Sequence, residues 1–224
     1  MDLNLDTSWR IGESAFRLIS QLIRDRGYRS LVEFGSGAST ARWILEFPEM
    51  SITSIEHDAE FLNHTRQKLH PLAWGATLDL QYRALTWKII GGRPFLTYET
   101  PSLPGEIGIV LVDGPPGRTQ RGREACLYYC YDALAIGGTL VLDDADRPNE
   151  RQIVRNWMAT YGESFTYDHF DADHGLAVLT KIADLPPRFR FSTLVDSWKV
   201  AAQYTKLHLA NLFTTRAPRS PTPQ

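Results

Sequence analysis

Apolar residues along the chain recur in two alternating rhythms. From about Gly12 to Arg26, Phe16, Leu18, Ile19, Leu22 and Ile23 keep the spacing of one helix face, and Gly27 ends the run. Ser30 to Phe34 (SLVEF) is a short apolar run that breaks at Gly35-Ser36-Gly37, after which Ser39 to Phe47 returns to helical spacing and stops at Pro48. Ser51 to Glu56 (SITSIE) alternates as a strand does, and Ala59 to Leu69 reads as a helix that ends near Pro71. Leu78 to Arg83 is a weaker third strand. The stretch Thr86 to Glu106, rich in Gly, Pro and aromatic residues, predicts a loop holding at most a short helix.

Ile107 to Val112 (IGIVLV) is nearly continuous in apolar character, the pattern of a strand buried on both faces, and it runs into Asp113-Gly-Pro-Pro-Gly117. A helix is predicted from about Arg121 to Leu134. Gly137-Gly138 then opens a second buried strand, Thr139 to Leu142, which ends in Asp143-Asp144 before a helix over about Asn149 to Tyr161. Phe165 to Phe170 and Leu176 to Lys181 read as paired strands with no helix between them. The pattern predicts an α/β fold: a doubly wound, mostly parallel sheet of seven strands with helices on both faces and a terminal antiparallel hairpin. Residues 1–185 form the expected domain. Pro186-Pro187 marks its boundary, and 186–224 adds a helix from Ser192 to Phe213 and a disordered tail, RAPRSPTPQ.

Composition narrows the function classes. The chain has 224 residues, 43% of them hydrophobic, and a formal net charge of −2 with no block of like charges, which argues against a nucleic-acid or anionic-membrane footprint. No apolar run approaches the roughly 18 residues that span a bilayer. The start, MDLNLDTSWR, has acids where a secretory signal carries positive charge, so the cytoplasm is the expected compartment. Only Cys126 and Cys130 occur, at the i, i+4 spacing of one helix face, so neither a disulfide framework nor a zinc knuckle is available.

In doubly wound sheets, ligands bind outside the carboxyl ends of the strands. Glu33-Phe-Gly35, Glu56-His57-Asp58, Asp113-Gly114 and Asp143-Asp144 all fall there. A dinucleotide site is one reading of Gly35-Ser-Gly37 with Glu56 on the ribose, but two residues oppose it. Thr40 stands where the fingerprint needs Gly or Ala, and Glu33 would repel a pyrophosphate while favouring a ligand's positive charge.

Glu-Phe-Gly-Ser-Gly, with an acid closing the second strand, resembles motif I and the ribose-binding acid of the class I S-adenosylmethionine-dependent methyltransferases. Val112-Asp113-Gly114-Pro115-Pro116 is similar to their fourth-strand motif. Gly137-Gly138-Thr-Leu-Val-Leu-Asp143-Asp144 resembles the fifth-strand motif of the small-molecule O-methyltransferases. The resemblance spans about Gly12 to Lys181. It implies S-adenosylmethionine as cofactor, with Gly35, Ser36 and Gly37 against its methionine part, Glu33 and Asp113 beside it and Ser39 on its carboxylate. Glu56 would accept from both ribose hydroxyls, His57 would lie on the adenine, and Ala84 or Leu85 would line its pocket. It further implies that Asp113, Asp143 and Asp144 hold a divalent metal, Mg²⁺ or Mn²⁺, and a small-molecule acceptor, sugar-like or phenolic.

Hard oxygen-donor cations suit such a carboxylate cluster, which would otherwise repel itself. The catechol-type enzymes carry a lysine three residues after their first metal acid. Here that residue is Pro116, and His174, in the turn DADHG, is the substitute general base. Asp113 and Asp144 complete the expected catalytic set. Simpler roles stand beside these. Asp144 or Asp146 would cap the following helix, Asn149 and Glu150 would favour its dipole, and His57 and His174 would be exposed loop residues. His64, His70, His169 and His208 show no ligand spacing. Tyr128, Tyr129 and Tyr131 read as a packed helix face. Asp113-Gly-Pro-Pro differs from the Asp-Pro-Pro-Tyr motif of amino-methyltransferases because Gly117 replaces the stacking aromatic, which argues against a flipped-base substrate. The C-terminal helix, with Trp198, Leu209 and Phe213 on one side and Lys199, Lys206 and Arg216 nearby, fits a packing helix or lid, a homodimer contact, or a membrane-surface element.

Overall fold

The computed structural model describes residues 11–69, 78–189 and 191–214. The acidic start, the helix stop near Pro71, His70, the tail and Arg216 lie outside them, as do the side chains of His208, Leu209 and Phe213. The elements in order are α1 (Glu13–Arg26), β1 (Ser30–Phe34), α2 (Ala38–Glu46), β2 (Ser51–Glu56), α3 (Ala59–Leu69), β3 (Leu78–Tyr82), β4 (Leu85–Ile90) and β5 (Arg93–Tyr98). Then come β6 (Ile107–Val112), α4 (Glu124–Cys130), β7 (Leu134–Leu142), α5 (Pro148–Tyr161), β8 (Phe165–Phe170), β9 (Leu176–Lys181) and α6 (Phe191–Thr214).

Seven strands form one sheet in the order β3-β2-β1-β6-β7-β9-β8. The first five run parallel, and β9 is antiparallel to both β7 and β8. This is the doubly wound sheet with a terminal hairpin that the alternation predicts. Successive side chains leave opposite faces of a strand, so each buried strand feeds two cores. Val32, Phe34, Val110, Val112, Leu140 and Leu142 pack with Cys126, Trp157 and Tyr161 on one face. Leu31, Ile52, Ile109, Leu111 and Val141 pack with Phe16, Ile19 and Trp43 on the other. Cys126 and Cys130 are free thiols, both buried in the first of these cores, as their spacing predicts.

Two elements differ from expectation, and a third, α6, takes one of the readings its sequence left open, that of a packing helix. The stretch after Thr86 is an antiparallel hairpin, with Leu85 opposite Tyr98 and Ile90 opposite Arg93. Gly91 and Gly92 both have positive φ, 54° and 76°, which makes the tight turn whose twist matches a hairpin. Secondly, α4 is shorter than the predicted helix. Its last residues instead begin β7, which shifts register against β6 between Ile107 and Ile109. Lastly, α6 lies on the β4–β5 hairpin: Trp198 Nε1 donates to the Gly92 carbonyl at 3.0 Å, Arg121 Nη1 lies 2.8 Å from Asp196 Oδ2, and the Trp87 and Tyr204 rings meet edge-on at 5.7 Å. Among the described residues no helix is long and apolar enough to cross a membrane.

Candidate functional site

The parallel register aligns Phe34 with Ile55 and with Val112, and Val112 with Leu142, so β1, β2, β6 and β7 end on one rim. Their next residues meet there. Gly35, at φ 104°, donates its N–H to Ile55 O at 2.8 Å, while the Gly114 N–H donates to Phe34 O at 2.6 Å. A Cβ on Gly35 would come 3.1 Å from the Gly114 nitrogen, so the two turns touch backbone to backbone.

Glu33 lies beneath this turn and is fully buried. Alternation along β1 puts it on the face of Leu31, toward α2. Its Oε1 accepts from Ser39 Oγ at 2.5 Å and Trp43 Nε1 at 3.2 Å, and its Oε2 from Thr40 Oγ1 at 2.5 Å and Ser54 Oγ at 2.9 Å. Burial pushes its carboxyl up to about 7 against the pull of those hydroxyls. The sequence reading aims Glu33 at a ligand cation and Ser39 at a ligand carboxylate. The structure instead turns the two side chains on each other, because the first turn of α2 supplies the nearest donors to a carboxylate that cannot reach water. Ser36 Oγ likewise sits 2.7 Å from Ser54 Oγ. Thr40 also accepts the Gly37 N–H at 3.0 Å, so the residue that breaks the dinucleotide fingerprint closes the glycine turn.

Glu56 is 5% exposed. Its Oε1 accepts the N–H groups of His57 at 2.7 Å and Asp58 at 2.8 Å, and the His57 Nδ1 stands 2.7 Å from the same oxygen. No described residue donates to Oε2. His57 Nε2 lies 3.2 Å from Nη2 of Arg118, which reaches across from the short 3-10 turn Gly117–Thr119 after β6. Leu85 is half-buried against the core, paired with Tyr98. Tyr98 is absent from the sequence-derived set. Its ring is fully buried, 5.7 Å from Phe34 and 6.2 Å from His57, and its hydroxyl has no hydrogen-bond partner among the described residues. A side chain on Gly114 would collide with that hydroxyl, which places it directly against the Asp113-Gly114 turn. The Gly91-Gly92 turn is the signal that would have found it.

Asp113, Asp143 and Asp144 each offer a carboxylate oxygen, all within 4.8 Å of one another. Asp144 takes a left-handed φ of 59°, an uncommon conformation outside glycine that asparagine and aspartate tolerate best. Burial, then the charges of Asp113 and Asp144, push the Asp143 carboxyl up to about 7. Burial raises Asp113 too, against the pull of Arg123. Two guanidiniums attend the cluster, Arg123 with Nη1 3.3 Å from Asp144 Oδ2 and Arg147 with Nη1 2.7 Å from the same oxygen. Neither arginine was singled out in the sequence. The cap of α5 falls on Arg147 without any side-chain cap bond, so Asp144 and Asp146 do not cap it, and Asp146 pairs with Arg151 at 3.0 Å. Glu150 does occupy the first turn of α5, but it also lies 3.6 Å from Arg123. His174 is exposed on the same rim, its carbonyl accepting the Asp146 N–H at 3.0 Å. No hydrogen bond or ion pair joins its ring to Asp113, Asp143 or Asp144 among the described residues.

No protein-family model matches the sequence, and no curated protein matches it. Solved structures do. The S-adenosylhomocysteine-bound methyltransferase PaMTH1 of Podospora anserina superposes with TM-score 0.61 at 13% identity, over 80% of this chain and 82% of its own. The O-methyltransferase TomG of Streptomyces achromogenes, involved in tomaymycin synthesis and solved with S-adenosylmethionine, gives 0.57 at 14% identity, over 79% and 83%. A methyltransferase from Geobacter sulfurreducens gives 0.55 at 16% identity, over 77% and 81%. The chain has the class I methyltransferase fold. In that fold the Gly35 turn, Glu56 and the acid cluster stand at adjacent strand ends of a single rim.

Proposed function

We propose that the protein transfers the methyl group of S-adenosylmethionine to a hydroxyl of a small molecule, sugar-like or phenolic. The observation that carries this reading is the pairing at one rim of a glycine turn without room for a side chain and a buried acid, Glu56, with one oxygen held by two backbone N–H groups. Such a carboxylate is fixed in direction and keeps acceptor capacity for a vicinal diol. The likeness to methyltransferases that hold this cofactor or its product supports the same reading. An NAD-linked oxidoreductase is disfavoured because Thr40 fills the helix-packing position and is tied to Gly37 and Glu33.

The residues present suit the cofactor. Gly35 and Gly37 let its methionine part approach the backbone, Glu56 binds the ribose, and His57 and Leu85 flank the base. Bound there, it supplies an electrophilic methyl group on a sulfonium. Glu33, Ser36 and Ser39 act from beneath, fixing the turn's shape rather than touching the ligand. The all-oxygen set of Asp113, Asp143 and Asp144 suits a hard divalent cation, Mg²⁺ or Mn²⁺, which would lower the acceptor hydroxyl's pKa and orient it. Asp113 and Asp144, at the strand ends next to the glycine turn, would position the acceptor for in-line transfer. His174 is the rim histidine that would take the hydroxyl proton, Pro116 having no such capacity.

Calorimetric titration with S-adenosylhomocysteine and, separately, with NAD⁺ tests the reading. Micromolar binding of the first and none of the second is expected; binding of NAD⁺ or of neither would overturn it. Asp143→Ala should lose divalent-ion binding with circular dichroism unchanged, and metal-dependent turnover surviving that substitution would remove the triad from the site.

A further inference from the structure

The carboxylate triad already contains a cation, supplied by the chain. Arg123 stands at the start of α4 and is 5% exposed. Its Nη2 lies 3.4 Å from Asp113 Oδ1, and its Nη1 lies 3.3 Å from both Asp144 Oδ2 and the Asp143 carbonyl oxygen. Its Nε donates to the Pro115 carbonyl at 3.1 Å, and Glu150 Oε1 stands 3.6 Å from Nη1. One planar fork therefore gathers acceptors from the turn after β6, the turn after β7 and the first turn of α5. A guanidinium keeps its charge at any working pH, so deprotonation does not remove this cation from the cluster.

Resting on the reading of Asp113, Asp143 and Asp144 as an oxygen-donor cation site, we infer that Arg123 is the resident counter-cation of that triad, which therefore takes a divalent ion only weakly and in competition with its own guanidinium. Two consequences distinguish this from a site built around a metal. An entering ion meets a fixed positive charge within 3.4 Å of two of its three ligands, and the Asp144 Oδ2 lone pairs are shared already with Arg123 and Arg147. The folded geometry of the rim is also set without the ion, since protein hydrogen bonds do the orienting that a metal and its outer-shell partners otherwise do.

Mn²⁺ is the probe. Wild type, Arg123→Met and Arg147→Met are titrated by calorimetry and by loss of the free-ion paramagnetic resonance signal, and melted with chelator or Mn²⁺. Wild type should melt at the same temperature in both, and Arg123→Met, its acids left with Arg147 as their remaining guanidinium, should melt lower with chelator, recover with Mn²⁺ and bind the ion about tenfold or more tighter. If Arg123→Met does not fold, Arg147→Met, which removes the half-exposed second guanidinium from Asp144, should still tighten binding several-fold. A wild-type melting point that falls on chelation, or Mn²⁺ affinity no tighter in the variants, overturns the inference. Binding of S-adenosylhomocysteine to wild type is read separately, so its absence counts against the methyltransferase reading and not against Arg123.

Discussion

A buried carboxylate with four donors, Glu33 acts through its protonation state. Its folded pKa is raised to about 7 from an ordinary 4.5, so the native protein holds this proton where the unfolded chain has released it. The stability gained from the proton is complete below the lower value and is lost as pH rises to the upper one. Glu33→Gln should flatten the pH dependence of the unfolding free energy across that interval, since the neighbouring hydroxyls can reverse and accept from the amide; urea melts at about pH 5 and pH 8, with equal slopes for variant and wild type, would exclude Glu33 as the source. At the other strand end, Glu56→Ala should weaken S-adenosylhomocysteine binding by about 1 to 3 kcal/mol, and unchanged calorimetric affinity would remove Glu56 from the site. For Tyr98, whose hydroxyl has no partner to lose, Phe should match wild type in thermal melting to within about 1 kcal/mol. The strand-end acids are legible in the sequence because a strand's last residue needs only its own run to be located. Glu33, Ser39 and Arg123 are not. Where Glu33 points depends on which face α2 covers, and Arg123 meets acids 10 and 21 residues away in sequence, a proximity that only the folded sheet creates.

Elements with one clear period are predicted where they form, and mixed ones are not. The ends of α1 and α5 and the start of α3 follow their apolar stripes, and β1, β2 and β6 follow their apolar runs. The β4–β5 hairpin escapes because Lys88, Arg93 and Pro94 interrupt its pattern, although Arg93 is buried there against Glu124 of α4, 3.1 Å away, and over the Tyr128 and Phe189 rings. This hairpin carries Tyr98 to the rim and gives α6 its seat, so this side of the rim is the least legible part of the chain. Between α5 and the sheet, the fully buried Trp157 fills the core and donates to the Glu124 carbonyl at 2.8 Å. Trp157→Ala should cost about 3 to 5 kcal/mol in chemical denaturation; a loss below about 1 kcal/mol would mean that α5 repacks freely.

Across the whole molecule, alternation of strand and helix sufficed to predict the sheet, because a buried parallel sheet admits few connections. It could not predict what ties the ends of the chain together. The Asp173 carboxylate, in the turn between β8 and β9, accepts the Ala15 N–H at 2.9 Å, across 158 residues, and so finishes the first turn of α1. That bond has a consequence in time. During synthesis α1 precedes the β8–β9 hairpin, and β1, inside the sheet, gains β6 only after more than seventy further residues have emerged. Until the last hairpin can dock along β7, a nascent chain carries α1 without its Asp173 bond and a sheet with open strand edges. Unpaired strand edges of that kind are what a nascent chain exposes to aggregation.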